Sequence, residues 1–382
     1  MIPRTLFSSD HNTFRDSVRR FMQTEVVPHD ERWMEQGYVD RDVWLKAGAN
    51  GLLCVSMPEQ YGGAAADKLY SVVLMEEQAF ANSSSLGFGL HSEIVAPYLN
   101  RYGSDALKAK YLPKMARGDM IGAIAMSEPG AGSDLKAIKT TARRETGPNG
   151  DEYVINGSKT FISNGLNCDL VVVVVKTNPE LGAKGTSLIL VEADRPGFRK
   201  GRKLEKMGQE AADTAELFFE DVRVPASNLL GEEGLGFKYL MSELAQERFI
   251  IAIASAAKLE AMLAETIKYT KERMVFGKPV FEFQNTKFKL AEIKTRATAM
   301  RMMVDAYLAE HLKRKLSLEE AAIAKLYCTE ELGKCLDELL QLYGGYGYMM
   351  EYPICRAYVD TRVSRIYGGT SEVMKELISR GL

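Results

Sequence analysis

The chain has 382 residues, 46% of them hydrophobic, and a formal net charge of −2. That length exceeds what one hydrophobic core serves and predicts two or three subdomains. Acidic and basic residues are interspersed, which excludes the concentrated positive face of a nucleic-acid binder, and no uninterrupted apolar run is long enough to span a bilayer, so a soluble globular protein is expected.

Five cysteines without a C-x-x-C pair and four histidines without metal-ligand spacing predict a reducing compartment and no metal. The opening Met1-Ile2-Pro3-Arg4-Thr5 leads into charged amphipathic sequence with neither an apolar signal core nor an Arg/Ser-rich leader. That pattern favours a bacterial-type cytoplasmic protein, or a processed mitochondrial-matrix form.

Residues 10–116 carry apolar side chains at helical spacing, as in Phe14, Val18, Phe21 and Met22, with breaks expected at Pro28, Pro58-Glu59, Gly62-Gly63 and Pro97. An apolar run at 121–126 then reads as a strand ending in a small-residue loop, Ser127 to Asp134. Such a loop is either an ordinary strand-ending turn around Pro129 or a place where backbone N–H groups approach a planar or anionic ligand. It has neither the G-x-G-x-x-G spacing of a dinucleotide fold nor that of a phosphate-binding loop. Downstream, Asn149-Gly150, Asn156-Gly157 and Asn164-Gly165 punctuate short apolar runs, the pattern of hairpin turns in an antiparallel β domain.

After Pro225 helix periodicity returns over 235–274, 284–312, 318–342 and 371–380. The fold class is therefore α+β: an N-terminal helical domain (1–122), a middle antiparallel β domain (123–232) and a C-terminal four-helix bundle (233–382). On the first of these helices Leu240, Leu244, Glu247 and Ile251 share one face, so a carboxylate sits inside an apolar stripe. Residues 249–257 (FIIAIASAA) are apolar all round, which indicates a buried helix. Burial raises a glutamate's pKa towards the range of a proton-abstracting base; the alternatives are that Glu247 pairs with a buried arginine, or that Glu243, one turn earlier, takes the role.

Long blocks of the sequence resemble the acyl-CoA dehydrogenase family: MSEPGAGSD (126–134), NGSKTFISNG (156–165), LEKMGQEAADTAELFFEDVRVP (204–225), RMVFGK (273–278) and QLYGGYGYMMEYPICRAYVDTRVSRIYGGTSE (341–372). The resemblance implies FAD as cofactor, an acyl-CoA substrate, electron-transferring flavoprotein as electron acceptor, a place in fatty-acid β-oxidation, and a homodimer or homotetramer. Most members carry their base in a Tyr-Glu-Gly-Thr loop, where this chain reads Tyr367-Gly368-Gly369-Thr370. The long-chain and isovaleryl types place it on the buried helix instead, in sequence like Gln246-Glu247-Arg248, and the flanking residues look closest to the long-chain type.

By that resemblance Glu247 is the catalytic base, and the backbone N–H of Gly368 holds the thioester oxygen together with a ribityl hydroxyl. The flavin would lie against Ile124, Met126, Ser127, Gly132, Ser133, Phe161, Ile162, Ser163, Thr370, Ser371 and Glu372, with Phe161 stacked on the ring. Its ADP half would lie against Arg273, Phe276, Gln284, Gln341, Gly344 and Gly345 of a neighbouring subunit. Ser133, Lys184, Arg248, Gly368 and Gly369 would serve the CoA side, and an acyl channel would run near residues 85–96, where Gly87, Gly89 and Ala96 are small. A branched or terpenoid (citronellyl-type) acyl substrate, an oxygen-using oxidase, and a silent flavoprotein scaffold are the competing readings.

Overall fold

The computed structural model describes residues 4–147 and 150–382. Its N-terminal helices are α1 (Ser9–Phe21), α2 (Asp30–Gln36), α3 (Arg41–Ala49), α4 (Lys68–Phe80), α5 (Phe88–Leu90), α6 (Ala96–Tyr102) and α7 (Asp105–Ala116). Pro97 does not break this region as expected. The chain is helical without interruption from Phe88 to Tyr102, because a π-helical segment, His91–Val95, joins α5 to α6. Pro97 has no N–H to give the Glu93 carbonyl one turn back; the side chain of Gln246 supplies the donor instead, at 2.9 Å.

The middle domain is a sheet of β1 (Gly122–Ala125), β2 (Thr141–Gly147), β3 (Gly150–Ile162), β4 (Leu170–Lys176), β5 (Thr186–Glu192), β6 (Phe198–Lys203) and β7 (Ala215–Pro225). The pairs β2 with β3, β3 with β7, β6 with β7 and β4 with β5 are antiparallel. The antiparallel expectation is corrected at β4, which pairs in parallel with β1 and, at one residue, with β2. Every residue of β4 is buried, because the strand serves two cores: Leu170, Val172 and Val174 face the helical domains, while Val171, Val173 and Val175 face the β domain's own interior.

Two of the three expected hairpin turns are something else. β3 runs through Asn156-Gly157, where its register against β7 shifts between Ile155 and Gly157, so the pair marks a bulge. Gly157 is required there: its φ is +151°, and a Cβ would lie 2.4 Å from the Thr140 hydroxyl. Asn164-Gly165 is a turn, but it leads to β4, which does not pair with β3. Asn149 lies outside the described residues; the strands on either side pair as far as Gly147 opposite Gly150.

The C-terminal part holds α8 (Gly236–Glu272), α9 (Gln284–Leu312), α10 (Leu318–Gln341), α11 (Pro353–Thr361) and α12 (Ser371–Ser379). Helix α8 is buried around its circumference from Phe249 to Lys258 apart from half-buried Ile250 and Ala254, since α9 and α10 pack on it from one domain and α4 from the other. Leu69 and Val72 of α4 belong to the same apolar cluster as Phe249, Ile253 and Leu336. The helix that carries Glu247 is thus the common wall of two domains.

Candidate active site

A polar platform forms where β1 ends. Glu128 and Ala131 close a tight turn by exchanging backbone hydrogen bonds at 2.8 and 3.0 Å. The Glu128 carboxylate accepts the N–H groups of Lys139 and Thr140, at 2.6 and 3.0 Å, and the ammonium of Lys159 at 2.9 Å. Lys159 is fully buried and also donates to the Met126 carbonyl at 3.1 Å, so β3 is pinned to the loop from inside. The Thr160 N–H donates to the Ser127 carbonyl at 3.0 Å, which sets Phe161 beside Ser127.

Phe161 is 70% exposed and holds φ at +60°, a conformation that costs a bulky residue energy and marks a position kept for something other than packing. Ser163 is exposed with it, whereas Ile162 between them is buried in the β-domain core. Ile162 and Ile124 both spend their side chains on packing, which leaves their backbone groups for a ligand. Gly132 and Ser133 are exposed, and the space where a Cβ on Gly132 would stand is open. An exposed aromatic face, flanking hydroxyls and an unshielded backbone loop fit a flat ring with a polar edge, as FAD requires.

On α8 the two glutamates separate. Glu243 accepts from Arg101 at 2.6 Å and from the Tyr102 hydroxyl at 2.7 Å; it is the one tied to an arginine. Glu247 is 7% exposed and accepts a 2.9 Å hydrogen bond from the hydroxyl of fully buried Tyr98 on α6. Among the described residues it has no ion-pair partner within 4 Å. Burial pushes its carboxyl up to about 7, with the Tyr98 hydrogen bond pulling back, Glu243 adding to the rise and Arg248 opposing it. The arginine pairing on this helix thus belongs to Glu243.

Gly368 comes up to the same stretch of α8. A Cβ on it would lie 2.5 Å from Ile251 Cδ1, one turn beyond Glu247, and the buried Arg248 donates through Nε to the Gly368 carbonyl at 3.2 Å. Arg248 thus grips the loop backbone through Nε. Thr370 caps α12 by accepting from the Val373 N–H at 3.3 Å, and the Ser371 hydroxyl is committed to Glu330 at 2.6 Å, while Glu372 is exposed.

The remaining expected residues lie elsewhere. Arg273 follows α8, its guanidinium 5.1 Å from the centre of the Tyr346 ring, so it sits with exposed Gln341, Gly344 and Gly345; Phe276 is 96% exposed at φ +47°, and Gln284 is exposed at the start of α9. Arg273 follows the end of α8 at Glu272, which is 25 residues beyond Glu247, about 37 Å at the rise of an α-helix. Lys184 is exposed, its carbonyl near Gly234. Of the small residues near 85–96, only Gly89 borders open space: a Cβ on Gly87 would strike Asn164 Oδ1 at 1.9 Å, and Ala96 is core. Residues beside the site that sequence reasoning missed are Tyr98, Lys159 and Lys325, whose Nζ donates to the Gly369 carbonyl at 2.6 Å; the nearest signal was Pro97, whose helix had to be held by a neighbour.

Among the described residues no group of three or more His, Cys, Asp or Glu could hold a metal ion, and no helix is long and apolar enough to cross a membrane. Family models match the three regions in turn: the acyl-CoA dehydrogenase N-terminal domain at residues 8–119, the middle domain at 123–222 and the C-terminal domain at 234–382. The mitochondrial long-chain specific acyl-CoA dehydrogenase of Mus musculus is 51% identical over 99% of this chain and 87% of its own. The mitochondrial isovaleryl-CoA dehydrogenase of Oryza sativa subsp. japonica is 36% identical over 99% and 92%. The crystal structure of an acyl-CoA dehydrogenase from Geobacillus kaustophilus superposes with a TM-score of 0.96 at 48% identity, covering 99% of both chains. With its three regions, its fold and its sequence all matched end to end, the chain belongs to the acyl-CoA dehydrogenase family of FAD-dependent oxidoreductases.

Proposed function

We propose that this chain dehydrogenates a medium- or long-chain acyl-CoA to the trans-2-enoyl-CoA in fatty-acid β-oxidation, with Glu247 as the base. The observation that carries this is a buried carboxylate without a cation partner, held at one oxygen by Tyr98, one helical turn from the residue that packs on Gly368. A thioester's α-proton is weakly acidic, so its removal needs a base of matched pKa and donors for the oxygen that gains charge. Glu247 takes that proton; the Gly368 backbone N–H serves the oxygen. FAD, when bound against Phe161, Ser127 and Ser163, supplies the acceptor for the hydride leaving the β-carbon.

The ADP half of the cofactor falls to Arg273, Gln284 and the Gln341 to Gly345 loop. As the family resemblance implies, a second copy supplies those residues to the Phe161 platform, in a homodimer or homotetramer. Lys184 and Ser133 are exposed and, as the family resemblance implies, take the CoA tail, and electron-transferring flavoprotein is the acceptor that reoxidises the enzyme. The long-chain preference is supported by the 51% identity to the mouse relative.

The test is a panel of saturated straight-chain and branched acyl-CoAs mixed anaerobically with the flavin-loaded protein, scored by bleaching of the flavin band. Fastest bleaching by medium- and long-chain straight acyl-CoAs is expected. Preference for a short branched chain would replace the substrate assignment, rapid oxygen uptake would make it an oxidase, and no bleaching by any thioester would remove the enzymatic reading.

A further inference from the structure

Two buried cations hold the glycine loop that packs on Ile251 of α8. Arg248 donates to the Gly368 carbonyl at 3.2 Å, and Lys325 donates through Nζ to the Gly369 carbonyl at 2.6 Å. Lys325 lies on α10 with no exposed surface, between core residues Ala324 and Cys328. A buried ammonium is costly unless it is bonded, and the Gly369 carbonyl is its one hydrogen-bond partner among the described residues. Burial, with repulsion from Arg248, pushes the amine down to about 8.

The loop needs such restraint. Gly368 and Gly369 stand at φ +65° and +99°, and two successive glycines have more backbone freedom than any other pair. Where position 368 carries no side chain, the loop's shape comes from what surrounds it. Downstream it is anchored by the Thr370 cap and the Ser371 to Glu330 bond. Upstream, the N–H groups of Ile366 and Tyr367 bond the Val363 carbonyl; on the two glycines themselves, Arg248 and Lys325 supply the side-chain restraints.

We propose that Lys325 is a positioning residue for the dehydrogenation, holding the glycine pair so that the Gly368 N–H keeps its direction towards the thioester oxygen. The inference rests on the reaction assigned above. In a trans peptide the carbonyl and the following N–H point opposite ways, so pinning the Gly368 and Gly369 carbonyls towards α8 and α10 turns the N–H groups of Gly369 and Thr370 away from those helices. With the torsions of Gly368 set by the same contacts, its own N–H is set too. The ammonium behind the loop also favours negative charge on the oxygen in front of it.

The test uses flavin-loaded wild type and the variants Lys325→Met, Lys325→Arg and Lys325→Gln. Two quantities are read: the infrared carbonyl stretch of a bound acyl-CoA analogue with sulfur at the β-position, which cannot yield hydride, and the rate of flavin bleaching by true substrate. In Lys325→Met the carbonyl band moves back towards its solution frequency and bleaching slows by about 10- to 100-fold, while flavin content and the substrate concentration for half-saturation stay within about twofold; Lys325→Arg recovers most of both. A wild-type band and rate in Lys325→Met overturn the proposal. So does a loss that follows flavin content and melting temperature alone, which is a purely structural role. Should Lys325→Met not retain flavin, Lys325→Gln, which keeps a neutral donor, carries the comparison: an intermediate band supports the proposal and an unchanged one overturns it. If wild type itself neither polarises the analogue nor bleaches, the assigned reaction fails first, and that outcome is distinct from the others.

Discussion

Glu247→Gln separates the chemistry of this carboxylate from its packing. Glutamine has nearly the same shape and leaves Tyr98 an oxygen to donate to, so the binding surfaces are retained while the proton acceptor is lost. The expected drop in flavin bleaching is about 10²- to 10⁴-fold, the range for a general base. Stability supplies a second readout. Burial raises Glu247 from 4.5 to about 7, above its unfolded value, so its contribution is fully present below the unfolded pKa and is lost as pH rises through the folded one. Above about pH 7 the folded protein holds a desolvated carboxylate at a cost on the order of 3 kcal/mol, at about 1.4 kcal/mol per tenfold change in acidity. The glutamine variant therefore melts higher than wild type at pH 8, and the gap closes towards pH 5. Stopped-flow bleaching and melting scans at the two pH values check this, with Glu243→Gln as the control that keeps its rate within a few fold. Full-rate bleaching by Glu247→Gln, or a melting shift equal at both pH values, refutes the reasoning.

Tyr98→Phe removes the hydroxyl that favours the ionised form of Glu247, so the midpoint of the kcat/KM profile, expected near 7 in wild type from the same group, moves to higher pH and activity returns in alkaline buffer; an unmoved midpoint would separate Tyr98 from the base. Phe161→Ala deletes a side chain that is 70% exposed, so stability of the flavin-free protein changes by about 0.5 kcal/mol or less. The ratio of flavin to protein absorbance after gel filtration falls, and full flavin retention would count against stacking at that ring.

Much of the fold was legible because its determinants are local. Helical spacing marked α8, α9, α10 and α12 to within two residues, and the all-apolar stretch after Glu247 announced a helix walled in on every side. The strand run at 170–175 was plain as well. What failed were features that depend on a partner. Pro97 was expected to stop a helix, and did not, because a π-turn and Gln246 from α8 meet its missing hydrogen bond. Asn156-Gly157 has hairpin chemistry, yet the strand passes through it because β7 continues alongside and takes up a bulge.

The candidate site divides the same way. Sequence alone determined which residue types were available: a glutamate in an apolar stripe, a glycine pair where the family's commoner base stands, an aromatic residue near a strand end. Tertiary structure decided which glutamate was claimed by an arginine, since Arg101 and Tyr102 reach Glu243 while Tyr98, 149 residues from Glu247 in the chain, reaches the other. It also brought in Lys325, on a helix whose sequence pattern marks it only as core. Hydrophobic periodicity reports which face of an element is buried; it carries no information about which buried polar groups meet, because that depends on how separate helices cross.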